Sequence, residues 1–413
     1  MDRDLNADKM AFVRVKTRNP FRLRFFWLFF GTLVLFVLAP YAWGPVYSFP
    51  EPRVFSGNHF LNPYGEQPGN WQRANFHAHG RAWYGITNGR QSDHEVVTRY
   101  RQLGYTVPGV SDYQRIAAQH GVPTIPLYEH GYNIGKHHQL AIGAHAVEWF
   151  DFPLWQSTSH QQFVIDRVRR KTDLVALAHP GVRGSYTNDE LQQLTGYDLI
   201  EIVNGPFMAD DAWDAALSAG HAVWAVADDD THDLTDHRRM AVGWNMIDAP
   251  SGSTTDIVAA LKAGRSYAVA RTGALDAAHV TMLSSVRVVD GRMIVTCAGA
   301  PAAFTFIGQN GAVRRTVKDA TSAAYTFAQK DTYIRTVIES PQTVIYLNPV
   351  IRYDGVSIAS PPATVDAAST WLLRGSSSLG CAGLVVFAVA RRRRPVLQTA
   401  RRPILADIKR NTA

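Results

Sequence analysis

His77 and His79 stand two residues apart in the stretch ANFHAHG, directly after a short apolar run. In an extended strand the side chains at i and i+2 share a face. Two imidazoles so placed project into one space, which is what two ring nitrogens need to meet one cation. An isolated HxH is as often a matter of packing as of ligation, so its reading depends on what else reaches the same place. Further apolar runs end in polar groups. PGVS leads into Asp112, IPLYE ends in Glu129, and VALAH ends in His179. LIEIVNG presents Glu201 and Asn204, and AVWAVADDDTH ends in Asp228, Asp229, Asp230 and His232. Twelve of the 15 histidines fall between His77 and His232. Mixed imidazole and carboxylate donors suit Zn²⁺, Mn²⁺ or Fe²⁺ rather than Ca²⁺.

Seven short apolar runs must position these groups: ANFH, YTVPGVS, TIPLYE, HQLAIGA, LVALAH, YDLIEIV and AVWAVAD. Between several of them lie helix starts with the S/T-x-x-E/Q spacing of a capping box: Ser92 with Glu95, Ser159 with Gln162, Thr187 with Glu190. Gly104, Gly121 and Gly220 fall where helices should stop. Seven strands with intervening helices argue for a parallel α/β sheet or barrel. In a barrel the C-terminal strand ends converge on one mouth, which would gather the polar groups there.

The ordered set HxH, an Asp-ended strand, Glu, His, His-Pro and DxH resembles the PHP (polymerase and histidinol phosphatase) superfamily over about Gln72 to Ala249. Within it, YEHGYNIGKHHQLAIG and AVADDDTHD are most similar to the carbaryl-hydrolase-like branch. The resemblance implies a distorted seven-stranded β/α (TIM-like) barrel, two or three divalent metals and hydrolysis of phosphate esters. Carried over by position, His77, His79, Glu129 and Asp230 would hold one metal. Glu129 would bridge to a second metal held by His138 and His179, and His232 would belong to a third site. His137 is the alternative to His138. Asp112-Tyr113 departs from the Asp-His usual in the family, so Tyr113 would weaken the third site or remove it.

With two metals clamping an ester, a further ionisable group must protonate the leaving oxygen. His232 is the candidate, with Asp112 as the alternative. Arg183 in HPGVRG and Asn204 are candidate substrate-binding residues, the arginine because it can grip a phosphoryl oxygen. Blander readings stand beside these. Any one of these histidines alone is more readily a hydrogen-bonded core residue. Asp228 and Asp229 could be a solvated loop or a cap, and Glu201 could pair with a neighbouring arginine. His94, His120, His145, His160 and His221 read as surface or helix residues.

The 413 residues carry +7, but the ends supply it: residues 1–24 carry +4 and residues 391–413 carry +7. The middle is therefore mildly acidic, without the footprint of a nucleic-acid partner. Cys297 and Cys381 lie in different surroundings, so no disulfide is expected. Phe25 to Trp43 is uncharged, follows the basic segment and has aromatics at both ends. At about 1.5 Å per residue it is long enough to span a bilayer, and it reads as an uncleaved anchor rather than a signal peptide. A Ser/Gly-rich apolar stretch at 371–390 leads into four arginines and reads as a second, short span. Basic flanks at both ends would keep the tails 1–24 and 391–413 cytoplasmic and place the middle in the periplasm or outside the cell.

Residues 44–71 read as a linker, and 72–275 as the metal-dependent hydrolase domain. From 279 to 358 strands alternate with tight turns at Asp290-Gly291 and Asn310-Gly311, as in a small β-sandwich. The expectation is a membrane-anchored, outward-facing metal-dependent hydrolase of small-molecule esters, foremost phosphoesters. The alternatives are hydrolysis of carbamates, amides or carboxylic esters on the same centre, or a decayed metal-binding or adhesion module.

Overall fold

The structure, a computed structural model, describes residues 20–65, 69–274 and 280–392. Most of the two basic tails, and the expected junction at 275–279, lie outside the described residues. In chain order the elements are α1 (Pro20–Trp43), β1 (Tyr47–Ser48), β2 (His59–Leu61), β3 (Trp71–Asn75), α2 (Asp93–Gln102), β4 (Val107–Pro108), β5 (Leu127–His130), β6 (Gln139–Ile142) and α3 (Thr158–Arg169). There follow β7 (Leu174–Leu177), α4 (Asn188–Gln193), β8 (Leu199–Asn204), β9 (Phe207–Met208), α5 (Asp210–Ser218), β10 (Trp224–Asp228), β11 (Gly243–Asp248), α6 (Thr254–Lys262) and β12 (Ser266–Arg271). The last elements are β13 (Met282–Val289), β14 (Arg292–Ala298), β15 (Ala302–Gly308), β16 (Ala312–Ala320), β17 (Ser322–Thr326), β18 (Tyr333–Glu339), β19 (Thr343–Tyr353), β20 (Thr364–Val365) and α7 (Ala367–Arg392). The chain forms two compact units, one holding α1 and α7, the other Gly44–Asp366.

In the first unit, Phe25–Trp43 and Ala367–Arg391 are each long and apolar enough to cross a membrane. Their apolar side chains are exposed along their length, Phe36, Leu372 and Leu379 among them. Within this unit the Arg374 guanidinium donates to the Trp43 carbonyl at 3.1 Å.

The second unit is a mixed α/β structure. Each of the seven apolar segments contains a strand, and helices start where the sequence places caps. Ser92 with Glu95 and Thr187 with Glu190 form complete capping boxes. Helix α3 starts two residues before the Ser159 pattern indicates, because Ser157 caps it with the His160 ring in the place of a glutamate. Ser159 instead accepts from the Tyr47 backbone N–H.

The strands of the expected barrel region lie in two sheets. One sheet runs β10-β8-β7-β6-β5, with β9 beside β8, and a second runs β16-β15-β18-β19-β12-β11-β3-β4, with β2 beside β19. Neither closes on itself; they meet at two single bridges, Ala78 with Thr231 and Tyr113 with Glu129. Pairing is parallel for β3–β4, β7–β8 and β8–β10, but antiparallel for β5–β6 and β6–β7. The connection from β5 to β6, residues 131–138, is too short for a helical crossover, which needs a dozen residues or more, so β6 must return antiparallel.

The β region read at 279–358 has both expected turns. Asp290 and Gly291 have φ of 50° and 70°, as a two-residue hairpin with right-twisted strands requires, and Asn310 and Gly311, at 59° and 69°, lie in the three-residue turn Gln309–Gly311. Its two layers are the three-stranded sheet β13-β14-β17 and the outer strands of the long sheet. Val286, Met293 and Val295 share a core with Phe304, Phe306 and Ile338. Strand β19 also pairs with β12, so the long sheet continues without a break into the strands of the preceding region.

Candidate metal centre

The reversal at β6 decides the site. Glu129 lies near the C-terminal end of β5, while His138 immediately precedes the N-terminal end of β6. Antiparallel pairing puts these two ends at the same edge, so a residue that begins its strand joins residues that end theirs. The turn between them depends on Gly131, with φ of +133°, where a Cβ would lie 2.3 Å from the His138 ring. His77 and His79 follow β3 and flank Ala78, which bridges to Thr231; His179 follows β7, and Asp230 and His232 follow β10.

Glu129 stands at the centre with one oxygen on each side. Its Oε2 lies 3.4 Å from His77 Nε2 and 3.1 Å from His79 Nε2, and both nitrogens are 3.3 Å from Asp230 Oδ1. Its Oε1 lies 2.6 Å from His138 Nδ1 and 3.1 Å from His179 Nε2. Potential ligand atoms thus fall into overlapping groups: His77, His79 and Glu129; His77, His179 and Asp230; His79, Asp230 and His232; Glu129, His138 and His179. The rings of His79 and His232 stack with centroids 4.2 Å apart. His137 belongs to none of these groups; its ring packs edge-on against Tyr186.

Hydrogen bonding distinguishes these residues from core histidines. His130, next to Glu129, is buried with one ring nitrogen 2.9 Å from Gln139 Oε1 and the other 3.0 Å from the Phe150 carbonyl. By contrast His77 Nε2, His79 Nε2, His232 Nε2, Glu129 Oε2 and Asp230 Oδ1 are buried atoms without a hydrogen-bond partner. Buried polar atoms are normally paired, and unpaired ones cost about 1–3 kcal/mol each. A cation among them would satisfy several at once, so the donor set fits a divalent metal.

In the metal-free centre protons stand in for that charge. Burial by itself lowers the His77 pKa, but Asp230, Glu201 and Glu129 outweigh it and hold the ring well above its ordinary value. At His79 burial is likewise outweighed, by the facing carboxylates of Asp230 and Glu129, and the pKa rises to about 9. Burial would raise Glu129, yet the charges of His138 and His77 hold it well below the usual carboxylate range. The backbone is strained at the same place: His179 and Asp230 have φ of 35° and 46°, in the left-handed region, which costs on the order of 1–3 kcal/mol per residue.

Glu201 does not pair with an arginine. Its Oε1 lies 3.0 Å from His77 Nδ1, and its Oε2 accepts from the His179 backbone N–H at 2.6 Å and from Asn204 Nδ2 at 3.1 Å. A carboxylate behind a histidine fixes its tautomer and leaves the other nitrogen free to bind, as carboxylates behind metal-bound histidines do. Asp228 and Asp229 are also buried rather than solvated. Asp228 Oδ1 accepts from the Phe76 N–H, and Asp229 accepts from the N–H groups of Ala241, Val242 and Gly243 and from the Tyr100 hydroxyl. They fix the chain on both sides of the strand end from which Asp230 projects.

Two expected roles need correction. Asp112, a candidate acid, is buried and held by the Gly80 N–H at 2.9 Å and by the Arg115 guanidinium at 2.5 Å, so it braces a loop. Asn204, a candidate substrate contact, is 1% exposed and stands behind Glu201. His232 does reach the mouth, but burial and the neighbouring His79 lower its pKa to about 4. Its Nδ1 lies 3.0 Å from the Asp230 carbonyl, which places the proton there and leaves Nε2 a lone pair. In that state Nε2 can accept a proton or a cation.

A cavity of about 390 Å³ opens over the centre, lined by Tyr113, His138, His179, Asp230 and His232 and by Lys136, Arg183 and Arg239. Arg183 was expected there. Lys136 and Arg239 were not, since nothing in their local sequence separates them from solvated loop cations. Arg239 Nη1 lies 3.9 Å from Asp230 Oδ2.

No family model matches the chain, and no curated protein matches it. Among solved structures it is similar to a two-domain protein containing a predicted PHP-like metal-dependent phosphoesterase from Bacteroides vulgatus ATCC 8482. The identity is 12% and the TM-score 0.38, over 77% of this chain and 99% of that one. A likeness of that size assigns neither a fold nor an activity.

Proposed function

We propose that this protein is a divalent-metal-dependent phosphoester hydrolase of the PHP type, anchored in a membrane by its terminal helices. The observation that carries the reading is the set of buried, unpartnered ring nitrogens and carboxylate oxygens converging on Glu129. His77, His79, Glu129 and Asp230 would hold one cation, and Glu129, His138 and His179 a second. Zn²⁺, Mn²⁺ or Fe²⁺ bound there would supply Lewis acidity towards a phosphoryl oxygen and make water a usable nucleophile at neutral pH.

The chain's own groups complete the site. Glu201 orients His77. Lys136, Arg183 and Arg239 line the mouth and favour an anionic phosphoryl group over a neutral carbamate or carboxylic ester. His232 Nε2 is available as an acceptor. Hydrolysis joins the water oxygen to phosphorus, breaks the bond from phosphorus to the alcohol oxygen, and returns a proton to that alcohol. Basic flanks beyond both apolar helices support an orientation with residues 44–366 on the side away from the cytoplasm.

The test is metal content per chain and phosphate release from phenyl phosphate, for the full chain and for His77→Ala/Glu129→Ala. Two transition metals and turnover, both lost in the variant, are expected. A wild-type chain that stays empty after loading, or a variant as active as its parent, overturns the reading.

A further inference from the structure

Next to two residues that line the cavity, Tyr113 and Lys136, stand exposed apolar side chains that the metal ligands do not use. Residues 83–86 form a short turn in which Trp83 and Tyr84 both have left-handed backbones, at φ of 53° and 56°. That conformation is strained for residues with side chains. Tyr84 is nevertheless 106% exposed and Ile86 86%, so the strain displays these side chains instead of burying them. The turn is held firmly: the Trp83 indole N–H donates to the Tyr113 carbonyl at 2.8 Å, and Thr87 Oγ1 bonds both the N–H and the carbonyl of Ala82. The Trp83 ring meets exposed Trp149 edge-on at 5.9 Å. The Tyr132 hydroxyl donates to the Trp149 carbonyl, and Ile134, 71% exposed, follows on the same loop. That loop next supplies Lys136, which lines the cavity, as does Tyr113 beneath Trp83.

The order of chemistry runs from metal ligands at the base, through Lys136, Arg183 and Arg239 at the mouth, to aromatic and aliphatic groups outside. An exposed cluster of large apolar side chains marks a contact surface. Continuity with a cationic cavity says which occupant fits: a molecule with an anionic head and an apolar body. We propose that the substrate is an amphiphilic phosphate ester, its head group in the cavity and its apolar body on the rim of Trp83, Tyr84, Ile86, Tyr132, Ile134 and Trp149. This inference names the substrate class of the hydrolase reading and rests on it.

The test measures the affinity of the full, Zn²⁺-loaded chain in nanodiscs for octylphosphonate and for methylphosphonate, corrected with empty nanodiscs. Phosphate release from phenyl phosphate is measured in parallel. Contact with about two methylenes suffices for about tenfold, so the octyl compound should bind at least about tenfold tighter. In Tyr84→Ser/Ile86→Ser/Ile134→Ser, whose side chains are exposed and not needed for packing, that ratio should fall towards one. The ratio is the readout because a poorly folded variant weakens both ligands alike. A wild-type ratio near one, or a rim variant that keeps the preference, overturns the inference and leaves the rim to a protein partner. Phosphate release with a ratio of one removes only the rim inference. A preserved ratio without phosphate release removes hydrolysis and leaves the amphiphile. Failure to bind either phosphonate removes both.

Discussion

Two regions of the central unit bury charge among aromatic and aliphatic neighbours, and they handle it in opposite ways. Where α5 meets β18, Arg335 is 1% exposed and grips Asp214 with two nitrogens, Nε on Oδ1 at 2.7 Å and Nη2 on Oδ2 at 2.5 Å. The Tyr333 hydroxyl donates to the same carboxylate, and the guanidinium lies over the Trp213 ring at 5.3 Å. Both carboxylate oxygens are satisfied there. At the metal centre the residues are equally buried, but ring nitrogens and carboxylate oxygens face one another without partners. Burial alone therefore does not mark a functional charge. The difference lies in which atoms remain unpaired and whether they converge.

If that distinction is right, substitutions in the two regions should separate ligand binding from stability. Glu129→Gln removes the one carboxylate that serves both sides of the centre. It should empty the centre and lower phosphoesterase activity by at least about 10³-fold, the scale on which a principal transition-state contact acts. In the metal-free chain Glu129 also offsets the protonated His77 and His79, so the thermal midpoint should fall, but by less than when Asp214 is replaced. Metal analysis and calorimetry on one preparation check both statements. A large fall in the midpoint would make Glu129 a folding residue and erase the contrast.

Asp214→Ala should do the reverse. With only the partly exposed Asp210 carboxylate left to Arg335, at 3.3 Å, the loss costs up to about 3–5 kcal/mol, whereas the double replacement Asp214→Leu/Arg335→Met should cost less than either single change. Urea titrations measure the stability, and metal content per folded chain should stay at the parent value. Loss of metal with a normal stability would contradict the division.

Glu201→Gln tests the positioning carboxylate. It should weaken metal binding by about 10–100-fold and leave the ligands in place, as removing a partner behind a metal-bound histidine does. An effect below about twofold in competition with a chelator would mean that His77 needs no orienting group.

The smallest and most diagnostic effect is in pH. With its pKa raised to about 9, His79 holds a proton in the metal-free chain at neutral pH. A cation must displace that proton, so affinity should rise with pH up to about 9, by about tenfold per unit for each proton released. In the metal-free chain the sign for stability is opposite. A raised histidine pKa contributes stabilisation that is complete below the ordinary value of about 6.5 and is lost as pH rises through about 9. Calorimetry in buffers of different ionisation enthalpy counts the protons. Metal binding without proton release would place the charge elsewhere in the centre.

Much of this site was legible in the chain itself. The resemblance supplied His77, His79, Glu129, His138, His179, Asp230 and His232 as a ligand set, and the structure brings donor atoms of these residues within reach of one another. The caps at Ser92 and Thr187 and the hairpins at Asp290-Gly291 and Asn310-Gly311 are local chemistry, so spacing alone predicted them. Strand direction was less legible because it is not local: the short connection after β5 reverses β6, and only then does His138 reach the shared edge. Asp112 and Asn204 act as braces because neighbours three residues away hold them, Arg115 on the carboxylate and Glu201 on the amide, which a position at a strand end does not by itself reveal.

The sequence by itself thus determined the donor types, the local turns and caps, and the two apolar terminal segments, because each depends on residues near one another in the chain. Only the tertiary structure decided that Glu129 faces two groups of ligands, that Glu201 backs His77, and that Lys136 and Arg239 share a cavity with Arg183. It alone set Trp83 against Trp149. Those relations depend on strand pairing and loop closure between distant segments, and the free energy that selects them comes from packing the whole unit rather than from any one stretch of it.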